Sequence, residues 1–353
     1  MTESETSWGS SSPSGATSTA CERRPTSRSG ARAAEKIPRP RIAVALGDPR
    51  GIGPEITAEV LQTAAPNAEV TLIGAEDQIA GIPAQQRIAV GRWGLGSGDV
   101  KDNRNRTIQA GRIAGHAVET AAKLALERKV DAIVTAPAHK HALHLAGFPY
   151  PGHTEWLAQL AGNVDVAMML AAETGTNPSA EPALRVVLIT THVALRDVPS
   201  LLSTERVVRT GRIVQRGLQE WWQIEQPRIA LCALNPHAGE SGLFGDEEAR
   251  ILQPAARELG ATGPLPADTV FVRAMGGEFD AVLAPYHDVG MTAIKVAAFG
   301  RAVNVTLGLP FPRTSPDHGT ALDIAGKGKA DPSSMRAAIE LAIKLAARTK
   351  AFA

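Results

Sequence analysis

Eight short apolar runs, spaced along the chain from Arg41 onward, most constrain how this sequence can fold. They are RIAVAL, EVTLIG, DAIVTA, DVAMML, RVVLITT, RIALCAL, DAVLAPY and AVNVTLGL. Runs that are apolar throughout, rather than alternating with polar residues, are typical of strands covered on both faces. Segments with helical spacing lie between them, among them PEITAEVLQTAA, AGRIAGHAVETAAKLALERK and MRAAIELAIKLAARTK. Strands that alternate with helices predict an α/β fold.

The length and the charge of the chain narrow the range of partners. At 353 residues, the chain exceeds the usual size of a single core, so we expect two domains or one large α/β unit. Its 37 basic and 36 acidic residues leave a formal charge of +1, which gives no electrostatic reason to bind nucleic acid or an anionic membrane. No stretch is apolar over enough residues to span a membrane. We therefore expect neither nucleic acid nor a membrane as partner, and small anions remain candidates.

The first forty residues bear on whether the N-terminal segment is folded, and together with the two cysteines they bear on the cellular location of the protein. Residues 1–40 are rich in Ser, Thr, Gly, Pro and Arg and contain no apolar run, so we predict a disordered tail there. The segment also lacks the continuous apolar stretch of a secretory signal. Cys21 and Cys232 lie in dissimilar contexts, which argues against a disulfide framework or a thiolate metal site. These features indicate a cytoplasmic protein.

Histidine or lysine follows four of the predicted strands: a single histidine follows each of three strands, and His139 and Lys140 follow DAIVTA. In open α/β sheets, ligands bind beyond the carboxyl ends of the strands. A histidine that stands alone is more often an ordinary hydrogen-bonded residue than a metal ligand, but three at equivalent strand ends favour an open three-histidine metal site that polarises a bound oxygen. The alternative set is HKHALH, residues 139–144, whose helical spacing we interpret as mostly a solvated surface cluster. The three strand-end histidines are His192, His237 and His287.

Three further features suit a negatively charged ligand. GHTE, residues 152–155, has the pattern of a helix start, where backbone donors and the Thr154 hydroxyl can receive an anion. Arg313 offers a forked guanidinium for a phosphate or carboxylate, and Lys295 lies eight residues after His287. The ordinary alternatives are a helix cap for Thr154 and surface ion pairs for the two cations.

The usual dinucleotide fingerprint is absent, because no GxGxxG follows any predicted strand. The glycine-dense segment DHGTALDIAGKGKADP is the remaining candidate to surround an adenosine moiety with its backbone. Its alternative reading is a tight turn.

A series of longer motifs runs from Arg41 to the C terminus. They are GDPRGIGPEI, TAPAHK, PGHTEWL, TTHVAL, LNPHAGESGLFGDEE, GPLPADT, YHDVGMTAIK and VNVTLGLPFPRTSPDHGTALDIAGKGKA. In order and length these motifs resemble the 4-hydroxythreonine-4-phosphate dehydrogenase family, metal-dependent enzymes of vitamin B6 biosynthesis. The wider fold is that of the isocitrate and isopropylmalate dehydrogenases, which bind a nicotinamide cofactor without GxGxxG.

The resemblance implies roles for individual residues. It makes the three strand-end histidines the divalent-metal ligands. For the proton acceptor in catalysis it leaves two candidates, Lys295 and Asp268 of PADT. The implied substrate contacts are His153, Thr154, Lys295, Asn304 and Arg313. We assign cofactor binding to the glycine-dense segment, through Asp317, His318, Gly319, Asp323 and Gly326.

The implied reaction is oxidation of the secondary alcohol of 4-phosphooxy-L-threonine, which is 4-hydroxythreonine 4-phosphate. Hydride passes to NAD or NADP, and the divalent metal, which is zinc, cobalt or magnesium, stabilises the developing alkoxide. Histidine ligands favour the transition metals over magnesium. The product then loses carbon dioxide to give 3-amino-2-oxopropyl phosphate, in the route to pyridoxine 5'-phosphate.

The resemblance also implies an architecture of two α/β domains with a cleft between them. The cofactor-side domain comprises residues 41–135 plus 305–353, and residues 136–304 form the domain for substrate, metal and dimerisation. In the implied homodimer the metal site is shared between subunits. We expect His192 and His237 of one chain to be completed by His287 of the other.

Departures from the family pattern keep alternatives open. Val289 stands where the family usually has glutamine, which concerns the polar wall of the pocket and hence the choice of substrate. Arg50 replaces a common alanine, and the loop at about residues 171–184 looks longer than usual. One alternative is a paralogue that oxidises 4-phosphothreonate or 4-phosphoerythronate. Others are a metal-dependent hydrolase or aldolase on the same histidines, and a non-catalytic phosphate-binding module.

Overall fold

A computed structural model describes residues 39–64, 67–94, 103–173 and 183–350. All of them belong to one compact unit, Arg39–Ala353. The predicted disordered tail, apart from residues 39 and 40, lies outside the described residues, and so does most of the predicted loop at 171–184.

The described strands form one eleven-stranded sheet with the order β3-β2-β1-β4-β11-β10-β5-β6-β9-β7-β8. Each of the eight apolar runs contains a strand, so that prediction is confirmed; β3, β8 and β11 are short and partly polar, and the apolar pattern missed them. The strands are β1 Arg41–Ala45, β2 Glu69–Gly74, β3 Gln86–Ala89, β4 Ala132–Thr135, β5 Ala167–Ala172, β6 Leu184–Leu188, β7 Ile229–Cys232, β8 Thr262–Leu265, β9 Ala281–Ala284, β10 Val303–Leu307 and β11 Arg313–Pro316.

Helices connect most of these strands. The α-helices are α1 Gly53–Ala64, α2 Glu76–Ile79, α3 Asn103–Leu126, α4 Lys140–Leu145, α5 His153–Leu160, α6 Val198–Leu201, α7 Thr204–Trp222, α8 Gln253–Leu259, α9 Ala267–Met275, α10 His287–Ala298 and α11 Ser333–Lys350. A short 3₁₀ segment covers Leu195–Asp197, Pro236–Gly242 is a left-handed turn, and a π-helical turn covers Glu248–Leu252. Within the described residues, no helix has both the length and the apolar character needed to cross a membrane.

Both faces of the sheet are buried, as the continuous apolar runs predicted. In β1, Ile42 and Val44 join a core that includes α1 and α11, whereas Ala43 and Ala45 join a second core against α3 and α5. A third cluster lies between the strands β5, β6, β7 and β9 and the helices α9 and α10. Alternation of side chains across the sheet therefore sends successive apolar residues into different helical layers.

The direction of the strands decides which ends meet. β6, β9 and β7 are adjacent and parallel, and they carry the three strand-end histidines just beyond their carboxyl ends. The sheet reverses direction at the antiparallel pairs β5–β6, β5–β10 and β10–β11, so β4 runs opposite to β6. The predicted division at residues 135 and 305 separates β1 to β4 and β11 from most of the other strands, but the sheet is continuous across it. That division stays a prediction.

Candidate functional site

A cavity of about 570 Å³, here called the central cavity, gathers most of the site residues predicted from the sequence. It is lined by segments that follow β4, β6 and β9, by the start of α5, and by β10 and β11. The predicted residues that line it are His153, Thr154, His192, His287, Lys295, Asn304, Arg313, Asp317, His318 and Gly319. The cavity therefore brings together groups separated by more than a hundred positions in the chain.

Arg313 is a buried cation in the wall of the central cavity. It lies on β11 and is only 2 % exposed. Its Nε and Nη2 atoms donate to the Thr135 hydroxyl at 3.1 and 2.6 Å, and Nη1 donates to the Thr306 hydroxyl at 3.2 Å. Burial lowers the pKa of Arg313 to about 10, so the guanidinium is still charged at neutral pH. Its hydrogen-bond partners are neutral hydroxyls, and the Glu155 carboxylate, which also lines the cavity, acts on its charge without pairing directly with it, so an anionic ligand can still bind the guanidinium.

Two other wall residues carry buried polar atoms that have no hydrogen-bond partner. These atoms are Nε2 of His153, at the start of α5, and Oδ1 of Asn304, on β10. Burial, with help from the charges of Arg313 and Lys140, lowers the pKa of His153 to about 3, so its imidazole is neutral. Buried polar atoms are normally paired, and unpaired ones beside a cavity indicate where a ligand supplies the missing bonds.

Lys295 links α10 to the glycine-dense segment. Its Nζ atom lies 2.9 Å from Oδ2 of Asp317 and donates to the Asp317 carbonyl at 3.3 Å. The Asp317 amide in turn donates to the hydroxyl of Ser334 at 3.0 Å. A residue predicted to contact substrate and a residue predicted to contact cofactor are therefore in direct contact.

Two of the three predicted metal ligands lie together. The rings of His192 and His287 have centroids 5.5 Å apart. Burial, followed by the charges of Lys140 and His287, lowers the pKa of His192, which favours the neutral, metal-binding form. Nδ1 of His287 lies 2.7 Å from Oδ1 of Asp288. A carboxylate that accepts from Nδ1 favours the tautomer whose Nε2 is unprotonated, as a metal ligand requires.

His237, the third predicted metal ligand, lies outside the central cavity. It is exposed, does not line the central cavity, and opens a turn in which residues 237–241 all have φ between 42° and 82°. No group of three or more His, Cys, Asp or Glu side chains among the described residues is placed to hold a metal ion. Within one chain, His192 therefore lies beside His287, in a cavity that His237 does not line.

Among the residues predicted as the proton acceptor or as cofactor contacts, some line the central cavity and others do not. Asp268 is exposed on the first turn of α9 and does not line the central cavity. The glycine-dense segment lies against α1, because the Gly326 amide donates to Oε1 of Glu55 at 3.2 Å. A second cavity of about 370 Å³ shares Lys295, Asp317, His318 and Gly319 with the central cavity. Neither cavity includes Asp323 or Gly326.

Comparison with known proteins identifies the group to which this architecture belongs. The profile of the family described as Pyridoxal phosphate biosynthetic protein PdxA matches residues 55–342. The chain belongs to the PdxA family. It is 44 % identical over 335 residues to a 4-hydroxythreonine-4-phosphate dehydrogenase of Geobacter metallireducens, a match that covers 87 % of this chain and 96 % of the relative. This PdxA family member is accordingly an oxidoreductase.

A second curated relative carries a different substrate in its name. It is a D-threonate 4-phosphate dehydrogenase of Salmonella typhimurium, 42 % identical over 332 residues, and the match covers 86 % of this chain and 98 % of the relative. Among solved structures, a 4-hydroxythreonine-4-phosphate dehydrogenase from Klebsiella pneumoniae has a TM-score of 0.74 at 40 % identity, over 87 % of this chain and 99 % of that one.

The predicted wider fold is confirmed by a more distant structure. An isocitrate dehydrogenase from Methylococcus capsulatus has a TM-score of 0.50 at 14 % identity and covers 88 % of this chain and 87 % of its own. At that identity the likeness concerns the fold alone.

Three further cations line the central cavity of this PdxA family member, and two of them, Arg206 and Arg209, were not singled out in the sequence. Lys140 begins α4, and Arg206 and Arg209 lie on α7. Arg209 is 3.8 Å from Asp165, which also lines the cavity. The spacing of the two arginines by three residues was visible in TERVVRTGR, but a helical row of arginines is usually a solvated face, so spacing alone did not identify them.

The features that departed from the family pattern are placed as follows. Val289 packs against the third apolar cluster and does not line the central cavity. Arg50 forms an ion pair with the buried Asp48, with Nη2 2.8 Å from Oδ2. In HKHALH, His141 and His144 are exposed and His139 is partly exposed, in keeping with a mostly solvated cluster, although the Nδ1 atom of His139 is buried without a partner.

Proposed function

We propose that this protein oxidises 4-hydroxythreonine 4-phosphate to the 2-amino-3-oxo acid, with NAD or NADP and a divalent metal ion. The product loses carbon dioxide to give 3-amino-2-oxopropyl phosphate, in pyridoxine 5'-phosphate biosynthesis. The observation that carries the proposal is one cavity in which the buried charge of Arg313 lies with unpaired atoms of His153 and Asn304 and with the His192–His287 pair. A small phosphorylated substrate supplies the charge and hydrogen bonds that this wall lacks.

The wall of the central cavity binds and orients this substrate. Arg313 presents a fork fixed by two threonine hydroxyls, which suits bidentate binding of a phosphate or carboxylate. Thr154 lies in the first turn of α5, beside the neutral imidazole of His153. His153 and Asn304 then add directional hydrogen bonds without adding charge. Fixing both ends of the substrate holds the secondary alcohol in one place.

The histidines of one chain supply two donors for a metal ion, and the donor set fits a transition metal that a second subunit completes. We infer that the site is His192 and His287 of one subunit with His237 of the other. When bound, the ion would stabilise negative charge on the substrate oxygen. Imidazole nitrogen donors favour zinc or cobalt over magnesium.

Exposed apolar residues next to the histidines support a homodimer. Leu195 is 66 % exposed shortly after His192, and Leu243 and Phe244 are 73 % and 46 % exposed shortly after His237. Large apolar side chains in two such clusters are typical of surfaces that a partner covers. A two-fold axis would place each His237 turn at the central cavity of the other copy and build two composite sites.

The proton acceptor that we propose is Lys295, the candidate that lines the central cavity. Asp268 can take part only if it comes from the second subunit. It lies just beyond β8, beside the strand that leads to His237, so the two residues would enter a partner's cavity from the same edge of the sheet. We further infer that residues 317–326 bind the nicotinamide cofactor, which when bound accepts the hydride.

The second candidate substrate is D-threonate 4-phosphate, which the name of the Salmonella typhimurium relative favours. It has a hydroxyl where 4-hydroxythreonine 4-phosphate has an amine. The test is the absorbance of reduced nicotinamide with each substrate, each cofactor, and zinc, cobalt or magnesium. We expect turnover with 4-hydroxythreonine 4-phosphate that chelation abolishes. Higher kcat/KM with D-threonate 4-phosphate would move the chain to the second candidate. Turnover without nicotinamide would indicate a hydrolase or aldolase.

A further inference from the structure

Glu248 is a buried carboxylate that the proposed reaction does not use. It begins the π-helical turn after the His237 segment and is only 3 % exposed. Its Oε1 atom accepts hydrogen bonds from the backbone amides of Leu234 and Asn235 at 2.9 and 2.8 Å. Its Oε2 atom accepts from Nδ2 of Asn235 at 2.9 Å. A buried carboxylate is stable only when its oxygens are paired, and here three N–H groups from one short segment pair them.

The segment that Glu248 holds leads directly into a strained turn. Residues 237–241 are all left-handed, and four of the five are not glycine. Left-handed backbone costs an L-residue roughly 1–2 kcal/mol, so such a run persists only where surrounding contacts fix it. Strain of this kind is common where a side chain must be presented in a single orientation.

Glu248 also contacts the middle of the turn. A Cβ atom on Gly239 would lie 2.9 Å from Oε2 of Glu248, so the carboxylate packs directly against the backbone there. It therefore contacts the chain both two residues before His237 and two residues after it. On the outer side of the turn, Glu240 and Ser241 are exposed.

We propose that Glu248 is a positioning residue for His237: its buried carboxylate holds the left-handed turn in the one conformation that presents this imidazole to the second subunit's site. The inference rests on the proposed role of His237 as a metal ligand. Fixing the turn before association lowers the conformational entropy lost when the ligand set is completed.

The test compares Glu248→Gln with the wild type. Glutamine keeps the size of the side chain but replaces one acceptor oxygen with a donor, so it cannot accept from all three N–H groups. We expect zinc affinity, measured by competition with a chromophoric chelator, to fall about 10- to 100-fold. Amide hydrogen exchange of residues 236–242 in the metal-free protein should become faster, while exchange in β6 and β9 stays unchanged. Glu258→Gln is the matched control, because Glu258 pairs with Arg212 at the surface.

A second variant covers the case in which Glu248→Gln does not fold. Asn235→Ala removes the Nδ2 bonds to Glu248 and Glu247 but keeps the two backbone bonds to Glu248, and it should shift zinc affinity and exchange in the same direction by a smaller factor. Unchanged zinc affinity together with unchanged exchange in the turn overturns the proposal. So does faster exchange throughout the sheet with unchanged zinc affinity, which is the result for a purely structural residue.

The variant His237→Ala separates failure of this inference from failure of the proposed metal site. If it binds zinc as tightly as the wild type, His237 is not a ligand and the proposed site is wrong. The exchange rates of the turn in Glu248→Gln then still show whether Glu248 holds the turn.

Discussion

At the scale of single residues, Arg313 is the main group that we propose for binding the anionic end of the substrate. Its guanidinium donates to hydroxyls on β4 and β10, the two strands that flank β11, so its orientation is set before any ligand binds. Because Arg313 is buried, water does not screen its charge, and its attraction for an anion is stronger than that of a surface arginine.

Arg313→Lys should weaken substrate binding although the charge is kept. Lysine places a point donor where a fork held by Thr135 and Thr306 stood, and it cannot bind an anion in bidentate fashion. We expect kcat/KM to fall by about 10- to 100-fold, corresponding to loss of one charge-assisted hydrogen bond of about 1.5–3 kcal/mol. Steady-state kinetics check this, and an unchanged KM for the phosphorylated substrate would remove Arg313 from the site.

His153 should make the protein less stable in mild acid. Its pKa is about 3 in the folded chain, against an ordinary value of 6.5, so the unfolded state takes up a proton that the folded state refuses. The stabilisation from the neutral imidazole is complete above pH 6.5 and is lost as pH falls from there towards 3. Between about pH 7 and about pH 5 the loss is about 2 kcal/mol.

Urea unfolding of the metal-free protein at several pH values, compared with His153→Gln, isolates this contribution. The variant should lack the additional slope. Burial acts to raise the pKa of Glu173, but Arg185 and Lys344 outweigh it and hold that pKa at about 2, so Glu173 affects stability only below about pH 4.5. Equal slopes for the two proteins above that pH would contradict the assignment.

At the scale of elements, close packing of α3 on α4 positions the first turn of α4 at the wall of the central cavity. α4 begins with Lys140, which lines that cavity, and α3 can approach it only because Gly111 has no side chain. A Cβ atom at Gly111 would lie 2.0 Å from the carbonyl oxygen of Ala142. Neither backbone can yield at such a distance without separating the helices.

Gly111→Ala should therefore destabilise the fold by about 1–3 kcal/mol, as overpacking of a tight contact does, in spite of the better helix propensity of alanine. The matched control is Gly81→Ala, because nothing lies within 4 Å of a Cβ atom there. Urea midpoints measure both. A Gly111→Ala protein as stable as Gly81→Ala would show that α3 and α4 do not pack as described.

At the scale of the whole molecule, the contact between the rings of His192 and His287 determines how the proposed homodimer would divide a shared metal site. With both in one chain, a second copy has only His237 left to contribute. A mixed dimer of His192→Ala and His237→Ala then has one site with both defects and one intact site.

Random reassembly of equal amounts makes about half of the dimers mixed, so about a quarter of all sites should recover. His192→Ala mixed with His287→Ala should recover none, because both residues come from the same chain. Hydride transfer by each mixture, against each variant treated alone, measures this. Recovery in the second mixture but not the first would show that His237 works with His192 of its own chain.

The sequence by itself determined the class of fold and most of the central cavity. Continuous apolar runs such as RIAVAL report local burial, which depends on near neighbours, and every one of them became a strand. The motifs GHTE and RTSPDHGT pointed to Thr154 as a helix start and to Arg313 as an anion-binding guanidinium, and the family resemblance added His153; all three line the central cavity.

Only the tertiary structure decided which of these ends meet. Strand direction depends on pairing between distant segments, so the sequence could not show that β4 runs opposite to β6, or that the helical face of Arg206 and Arg209 borders the cavity. The turn after β7 that carries His237 is left-handed, and its Gly239 packs against Glu248 of the π-helical turn that follows, a contact that no local pattern in the sequence shows. The sequence points to the candidate metal-binding histidines, whereas packing between distant segments decides which of them lie together.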